Sequence, residues 1–199
     1  MMALLKELRE KTQTAHEKLH YHPLLAPLLT SDLILFDYHY ALLAFDAFYR
    51  QSEKNIAVSI HPEIPNAPVI QWLESDLKKQ NLLSRSQSIK PKCILINTPS
   101  KLMGYLYVKQ GSTLGGQVIS KNLYKHLQLR PLLDQRFFAA YGVDNGIRWQ
   151  KFISQLRNIE HKFVPSELVE TAIQTFENVT HTCNILMEFK NAQSASRAN

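Results

Sequence analysis

The chain has 199 residues, 45% of them hydrophobic, and a formal net charge of +6 with a pI near 9.3. That length and apolar content suit one domain with one sizeable core, and no run of about 18 apolar residues is available to cross a membrane. The basic residues are scattered rather than blocked, which argues against nucleic acid and favours an anionic ligand or an acidic protein partner.

Apolar spacing is helical nearly throughout. Leu4, Leu5, Leu8, Thr12, Ala15 and Leu19 form one stripe of an amino-terminal helix. This segment carries Glu7 and Glu10 and has no long apolar stretch, so it reads neither as a secretory signal nor as a transit peptide. Pro23 and Pro27 break the chain. Ser31 then predicts an N-cap for a long helix through Ile34, Phe36, Tyr40, Leu43, Phe48 and Ile56. A proline-rich connector runs from His61 to Pro68, followed by a helix through Val69, Trp72 and Leu77 and a polar segment from Ser84 to Lys92. Cys93 to Ile96 is a short apolar run that could pass for a strand, without an obvious partner strand. Cys93 and Cys183 are the only cysteines, and their separation offers neither a disulfide framework nor metal-ligand spacing. They fit a reducing, cytoplasmic setting.

Thr98 and Pro99 have the form of an N-cap followed by proline at the first helical position. Helical spacing continues from Lys101 to Leu127, interrupted by Gly111, Gly115 and Gly116. Each glycine inside a helix costs about 1 kcal/mol relative to alanine. Two readings stand: a Gly-Gly loop between two helices, or one helix whose bare face approaches a flat ligand closely. Gly111 and Gly115 are four apart and share a face. Arg130 to Tyr141 reads as a short helix ending at Gly142, Asp144 opens a helix through Ile147, Phe152, Leu156 and Ile159, and Pro165 or Ser166 opens the last helix, which runs to Phe189. The polar tail from Asn191 to Asn199 is expected to be disordered. The fold expected is all-α, a single domain over residues 1–190 with about seven helices, and 191–199 as tail.

His16 lies at the edge of the amino-terminal stripe. It can be a core histidine bonded to a carbonyl, an iron ligand, or, with His20 one turn later and His22, part of a zinc or nickel site.

Several segments in consistent order resemble the bacterial haem oxygenases, the biliverdin-forming enzymes. They are Leu8 to Thr12 with His16 and Leu19; Tyr40 to Leu43 with Phe48, Tyr49 and Glu53; Tyr105 through Ile119, which contains the glycines; Phe137, Phe138, Tyr141, Gly142, Trp149 and Phe152; and Ala172 with Thr175 and Phe176. The glycine segment is the most specific and is most similar to the bacteriophytochrome-associated branch. The resemblance implies an all-α haem-oxygenase-like bundle that opens haem b oxidatively to biliverdin, carbon monoxide and ferrous iron. It makes His16 the proximal iron ligand and Gly111, Ser112, Thr113, Gly115 and Gly116 the distal helix. Haem is both substrate and cofactor. O2 is consumed, and electrons come from an external reductase, ferredoxin or flavodoxin. An acidic redox donor would suit the basic charge, and a phytochrome is a candidate acceptor of biliverdin.

Two positions depart from the family's pattern. Ser112 stands where many members have Asp, so a proton relay would use Ser112, Thr113 or backbone groups. His20 stands where members often have a Glu that hydrogen-bonds the proximal histidine, and it would be a weaker acceptor. For the haem propionates the resemblance nominates Arg9 first, two turns before His16, then Lys11, Arg148 and Lys151, each of which is otherwise ordinary surface charge. Tyr107, in register with Gly111 and Gly115, is the expected haem neighbour, and Phe176 is either a pocket-lining ring or plain core. The competing readings are a haem-binding or storage protein that turns over poorly, and a related helical scaffold with other chemistry. A di-iron site is disfavoured because Glu17 to His20 is the one Glu-x-x-His pair in the chain, whereas such a site takes a pair from each of two helices.

Overall fold

The computed structural model describes residues 3–59, 63–83 and 89–198. Among these are six α-helices: α1 (Ala3–His20), α2 (Leu35–Lys54), α3 (Val69–Lys79), α4 (Pro99–Leu127), α5 (Asn145–Ile159) and α6 (Pro165–Ala198). Short 3-10 turns lie at Ala26–Leu29, Gly142–Asp144 and Glu160–Lys162. The all-α expectation holds, and the helix count is close to the expected seven. Parts of two expected connectors, 61–62 and 84–88, lie outside the described residues.

Helix α1 buries Leu4, Leu8, Thr12 and Ala15 at helical spacing. Helix α2 begins later than Ser31 predicts. The Asp37 carboxylate accepts the Ile34 N–H at 3.1 Å, so a first-turn aspartate closes this end and its charge complements the helix dipole. Ser31 instead bonds its neighbour Asp32 at 3.3 Å. Helix α2 also stops before Ile56. The Asn55 side-chain amide donates to the carbonyls of Cys93 and Ile94, and Ile56 and Ile96 form an isolated parallel bridge. The apolar run at Cys93–Ile96 thus finds its partner at the end of a helix rather than in a sheet.

Helix α4 is continuous through all three glycines, which settles the loop-or-helix alternative. Thr98 caps it as expected: its Oγ1 accepts the Lys101 N–H at 3.2 Å and donates to Glu167 Oε2 at 2.8 Å, tying α4 to the first turn of α6. The two helices cross closely at Gly104, where an added Cβ would lie 2.3 Å from the Leu168 carbonyl oxygen.

Two further expectations fail. Arg130–Tyr141 is a chain of turns, not a helix. Leu132 and Ala140 hold left-handed backbone, with φ of 65° and 50°, and the Arg136 and Phe137 N–H groups donate to the Asp76 side chain instead of to helical carbonyls. The tail is not disordered: α6 continues through Asn191 to Ala198, and Asn199 lies outside the described residues. No Gly or Pro interrupts this stretch, and the Tyr40 hydroxyl donates to Gln193 Oε1 at 3.0 Å.

Helix α6 is the spine, about 50 Å long at 1.5 Å per residue. Helices α1, α2 and α4 all pack on it, α3 lies against α2, and α5 lies against α4. Leu8, Tyr38, Leu42, Leu106, Phe152, Leu168 and Ala172 fill the shared core. Because α1 and α4 approach α6 separately, a space is left between them.

Candidate active site

That space is a cavity of about 770 Å³, within the range of about 300–1,000 Å³ typical of small-molecule sites. One wall is α1, which presents Arg9, Thr12, Gln13, His16, Leu19 and His20. The facing wall is the α4 stretch from Gly111 to Gly116, with Val118 and Ile119. Phe45, Tyr49, Phe137 and Phe138 close the buried end, and Trp149, Phe176 and Val179 complete the sides.

His16 opens onto the cavity and is not a core histidine. Its ring meets the edge of Phe176 at 5.6 Å between centroids, which restricts its rotation. Burial lowers its pKa below 6.5, and the neighbouring His20 lowers it further, so the imidazole stays neutral and able to ligate a metal. His20 lies 6.4 Å away with its ring nearly parallel to that of His16. The rings stack and do not hydrogen-bond, which removes His20 from the acceptor role open to it. Among the described residues no three His, Cys, Asp or Glu side chains group as a metal site, so the zinc or nickel reading finds no further ligands.

The three glycines of α4 that border the cavity, Gly111, Gly115 and Gly116, separate on inspection. A Cβ at Gly115 would meet nothing within 4 Å, and one at Gly111 would touch Trp149 at an ordinary 3.7 Å. A Cβ at Gly116 would lie 2.7 Å from the Phe138 carbonyl oxygen. Gly116 therefore borders the cavity, but its missing side chain makes room for the protein's own backbone. Gly115 is the position where bare helix faces open space.

Polar groups on this wall are few. The Thr113 hydroxyl donates to the Gln110 carbonyl at 2.8 Å and is spent within its own helix. The Ser112 Oγ donates to the Lys109 carbonyl at 2.8 Å and also lies 3.4 Å from the Tyr49 hydroxyl. Burial pushes Tyr49 up to about 12, so its phenol keeps its proton throughout the neutral range. Between the two expected hydroxyls, the geometry favours Ser112.

Of the four cations nominated from the sequence, only Arg9 borders the cavity. Its charge acts on Tyr107, partly opposing the rise that burial imposes on that phenol, so the two face the same margin. Tyr107 lies 5.6 Å from Trp149, centroid to centroid. Lys151 is exposed and apart from the cavity. Trp149 takes the inward position on α5, and a residue two places on points about 200° away. Arg148 lies over the Tyr141 ring at 5.0 Å, and Lys11 borders a separate groove between α1 and α6. Phe176 stands beside His16 as a cavity residue.

Tyr49 and Gly104 escaped sequence reasoning. Tyr49 sits among apolar residues at helical spacing and looks like core, and only the pairing of α2 with α4 brings it to Ser112. Gly104 precedes the glycine cluster by two turns and serves a helix crossing.

The cavity thus sets the His16 imidazole opposite a glycine-rich stretch of helix, between aromatic walls, with the Arg9 guanidinium at its margin. That donor set fits a flat apolar ring carrying a central metal and peripheral carboxylates. A sequence model of one protein family, described as Heme oxygenase, matches residues 2–183. Comparison with curated proteins finds no match. Among solved structures, the fold is similar to the crystal structure of heme oxygenase-1 from the cyanobacterium Synechocystis sp. PCC6803 in complex with heme, at 17% identity and a TM-score of 0.65, covering 98% of this chain and 99% of that one. With a family match that spans nearly the whole chain, the chain belongs to the haem oxygenase family.

Proposed function

We propose that this chain binds haem b between His16 and the Gly111–Gly116 stretch and opens the macrocycle to biliverdin, carbon monoxide and ferrous iron. The observation that carries this reading is the opposition of the His16 imidazole and the bare Gly115 backbone across one apolar cavity. When bound, haem supplies the iron at which O2 is reduced. His16 would hold that iron from the α1 side through one ring nitrogen. Gly111 and Gly115 would let the α4 backbone lie against the opposite face, confining O2 toward the edge of the macrocycle. The rings of Phe45, Phe137 and Phe138 would help to keep bulk water from the bound haem. Protons at the distal side would pass through Ser112, whose hydroxyl is held between the Lys109 carbonyl and the Tyr49 phenol. Arg9, with Tyr107 beside it, would meet a propionate at the open margin.

No dinucleotide-binding glycine loop is present in the chain, so electrons would come from a separate reductase, ferredoxin or flavodoxin, and the +6 charge favours an acidic one. A phytochrome is the acceptor of biliverdin that the sequence resemblance suggests. Both cysteines are free, in keeping with a cytoplasmic setting. Among the described residues no helix is long and apolar enough to cross a membrane.

Haem titration of the wild type and His16→Ala tests the reading, followed by addition of a reductant in air. A 1:1 complex, decay of its Soret band and growth of a biliverdin band are expected, with ligation lost in the variant. An unchanged spectrum in His16→Ala overturns the ligand assignment. The storage reading draws on one observation: among the described residues, no carboxylate or carbonyl is bonded to the His16 ring. A haem complex that persists unchanged under reductant and O2 would establish it.

A further inference from the structure

The turn segment between α4 and α5 carries two of the rings at the buried end of the cavity, yet it is itself neither helix nor strand. Gln128, Leu132 and Ala140 take left-handed backbone in this region, which residues with side chains keep only where their surroundings impose it. Between Leu132 and Ala140, Asp76 of α3 holds the backbone at Arg136 and Phe137. Its side chain is fully buried. The carboxylate accepts the Arg136 N–H at 2.7 and 2.8 Å, the Phe137 N–H at 2.8 Å and the Tyr38 hydroxyl at 3.3 Å. These are charge-assisted bonds from fixed donors. The Arg136 guanidinium lies over the Trp72 ring. The carboxylate therefore grips the backbone of the segment.

The next residue is held from the other side. The Phe138 carbonyl oxygen occupies the space that Gly116 leaves open on α4. Phe137 and Phe138 are thus fixed between α3 and α4, and their rings pack with Phe45, 5.0 and 5.8 Å away between centroids. The macrocycle of haem is nearly four-fold symmetric, and its edges differ only in small apolar substituents and the two propionates. If Arg9 draws the propionates to its side of the cavity, Phe45, Phe137 and Phe138 would be left to receive the apolar substituents.

Resting on the haem reading above, we propose that Asp76 is a specificity-determining positioning residue. By locking Phe137 and Phe138 it fixes the contour of the buried end, and so the in-plane rotation of haem and the meso carbon that is oxidised.

The test compares wild type, Asp76→Asn and Gly116→Ala, each reconstituted with haem. Proton NMR of the cyanide-bound ferric complex reads in-plane rotation from the haem methyl shifts, and chromatography reads the biliverdin isomers. An asparagine must turn its amide hydrogens toward one of the backbone donors, and an alanine at 116 pushes the Phe138 carbonyl off α4. Asp76→Asn is expected to keep the His16-ligated absorption spectrum, and both variants to show a second set of methyl resonances and to raise a minor isomer at least tenfold over wild type. A wild-type methyl pattern and isomer ratio in folded Asp76→Asn overturns the proposal. Should Asp76→Asn fail to fold, a wild-type pattern in Gly116→Ala overturns it. Failure of the wild type to take up haem would instead remove the reading on which the proposal rests.

Discussion

A methyl group added at Gly115 would meet no atom within 4 Å, whereas one added at Gly116 would lie 2.7 Å from the Phe138 carbonyl. Gly115→Ala should therefore stabilise the ligand-free protein by about 1 kcal/mol through helix propensity, roughly 2–4 °C in Tm for a chain of this size, while weakening haem affinity. Gly116→Ala should destabilise the ligand-free protein by about 1–3 kcal/mol, as overpacking does. Thermal melts with haem titrations check both, and equal losses of stability would show that neither glycine is kept for the ligand. Sequence alone could mark these glycines as costly but could not separate them, because the atom that competes for Gly116 belongs to a residue 22 positions away. His16 allows a prediction in pH. Burial first, then the positive charge of His20, lowers its pKa below 6.5. The unfolded chain binds that proton more readily than the folded one, so the group costs stability below the folded pKa, and the cost disappears as pH rises to 6.5. In the ligand-free protein its imidazole signals should titrate below 6.5, and His20→Gln should move the midpoint upward. A midpoint at or above 6.5 in the wild type would contradict this.

Helix α4 shows which parts of an element the sequence discloses. Its start was legible, because Thr98 and Pro99 supply a hydroxyl acceptor and a fixed φ at the positions a helix start requires. Its continuity through the glycines was not legible, since tertiary packing on α6 overrides local propensity. The turn segment from Arg130 to Tyr141 was misread for a related reason. Its residues have helical spacing, but Asp76, 60 positions away from Arg136, removes the N–H groups a helix would use. The Thr98 cap reaches beyond its own helix by donating to Glu167. Thr98→Ala should therefore cost about 1–2 kcal/mol, somewhat more than a cap that serves one helix, and denaturant unfolding would measure it. Thr98→Ser, which keeps the hydroxyl, should recover most of the loss.

On the scale of the whole molecule, the parts that make the cavity and the parts that secure the bundle are unevenly spread along the chain. The last cavity-lining residue is Val179, yet α6 runs on to Ala198. In this distal portion Lys190 pairs with Asp37 at 2.6 Å, the same aspartate that closes the start of α2, and Gln193 accepts the Tyr40 hydroxyl. The carboxy-terminal turns thus act as a clasp on a helix whose own end depends on the clasped residue. A chain shortened to end at Phe189 would retain every group that touches the ligand. It would lose about 1–3 kcal/mol from the abandoned carboxylate and its partners, with an unaltered haem spectrum and a lower melting temperature. Truncation would then divide two properties that point mutations in the cavity tend to change together: what the protein can do, and how long it remains able to do it.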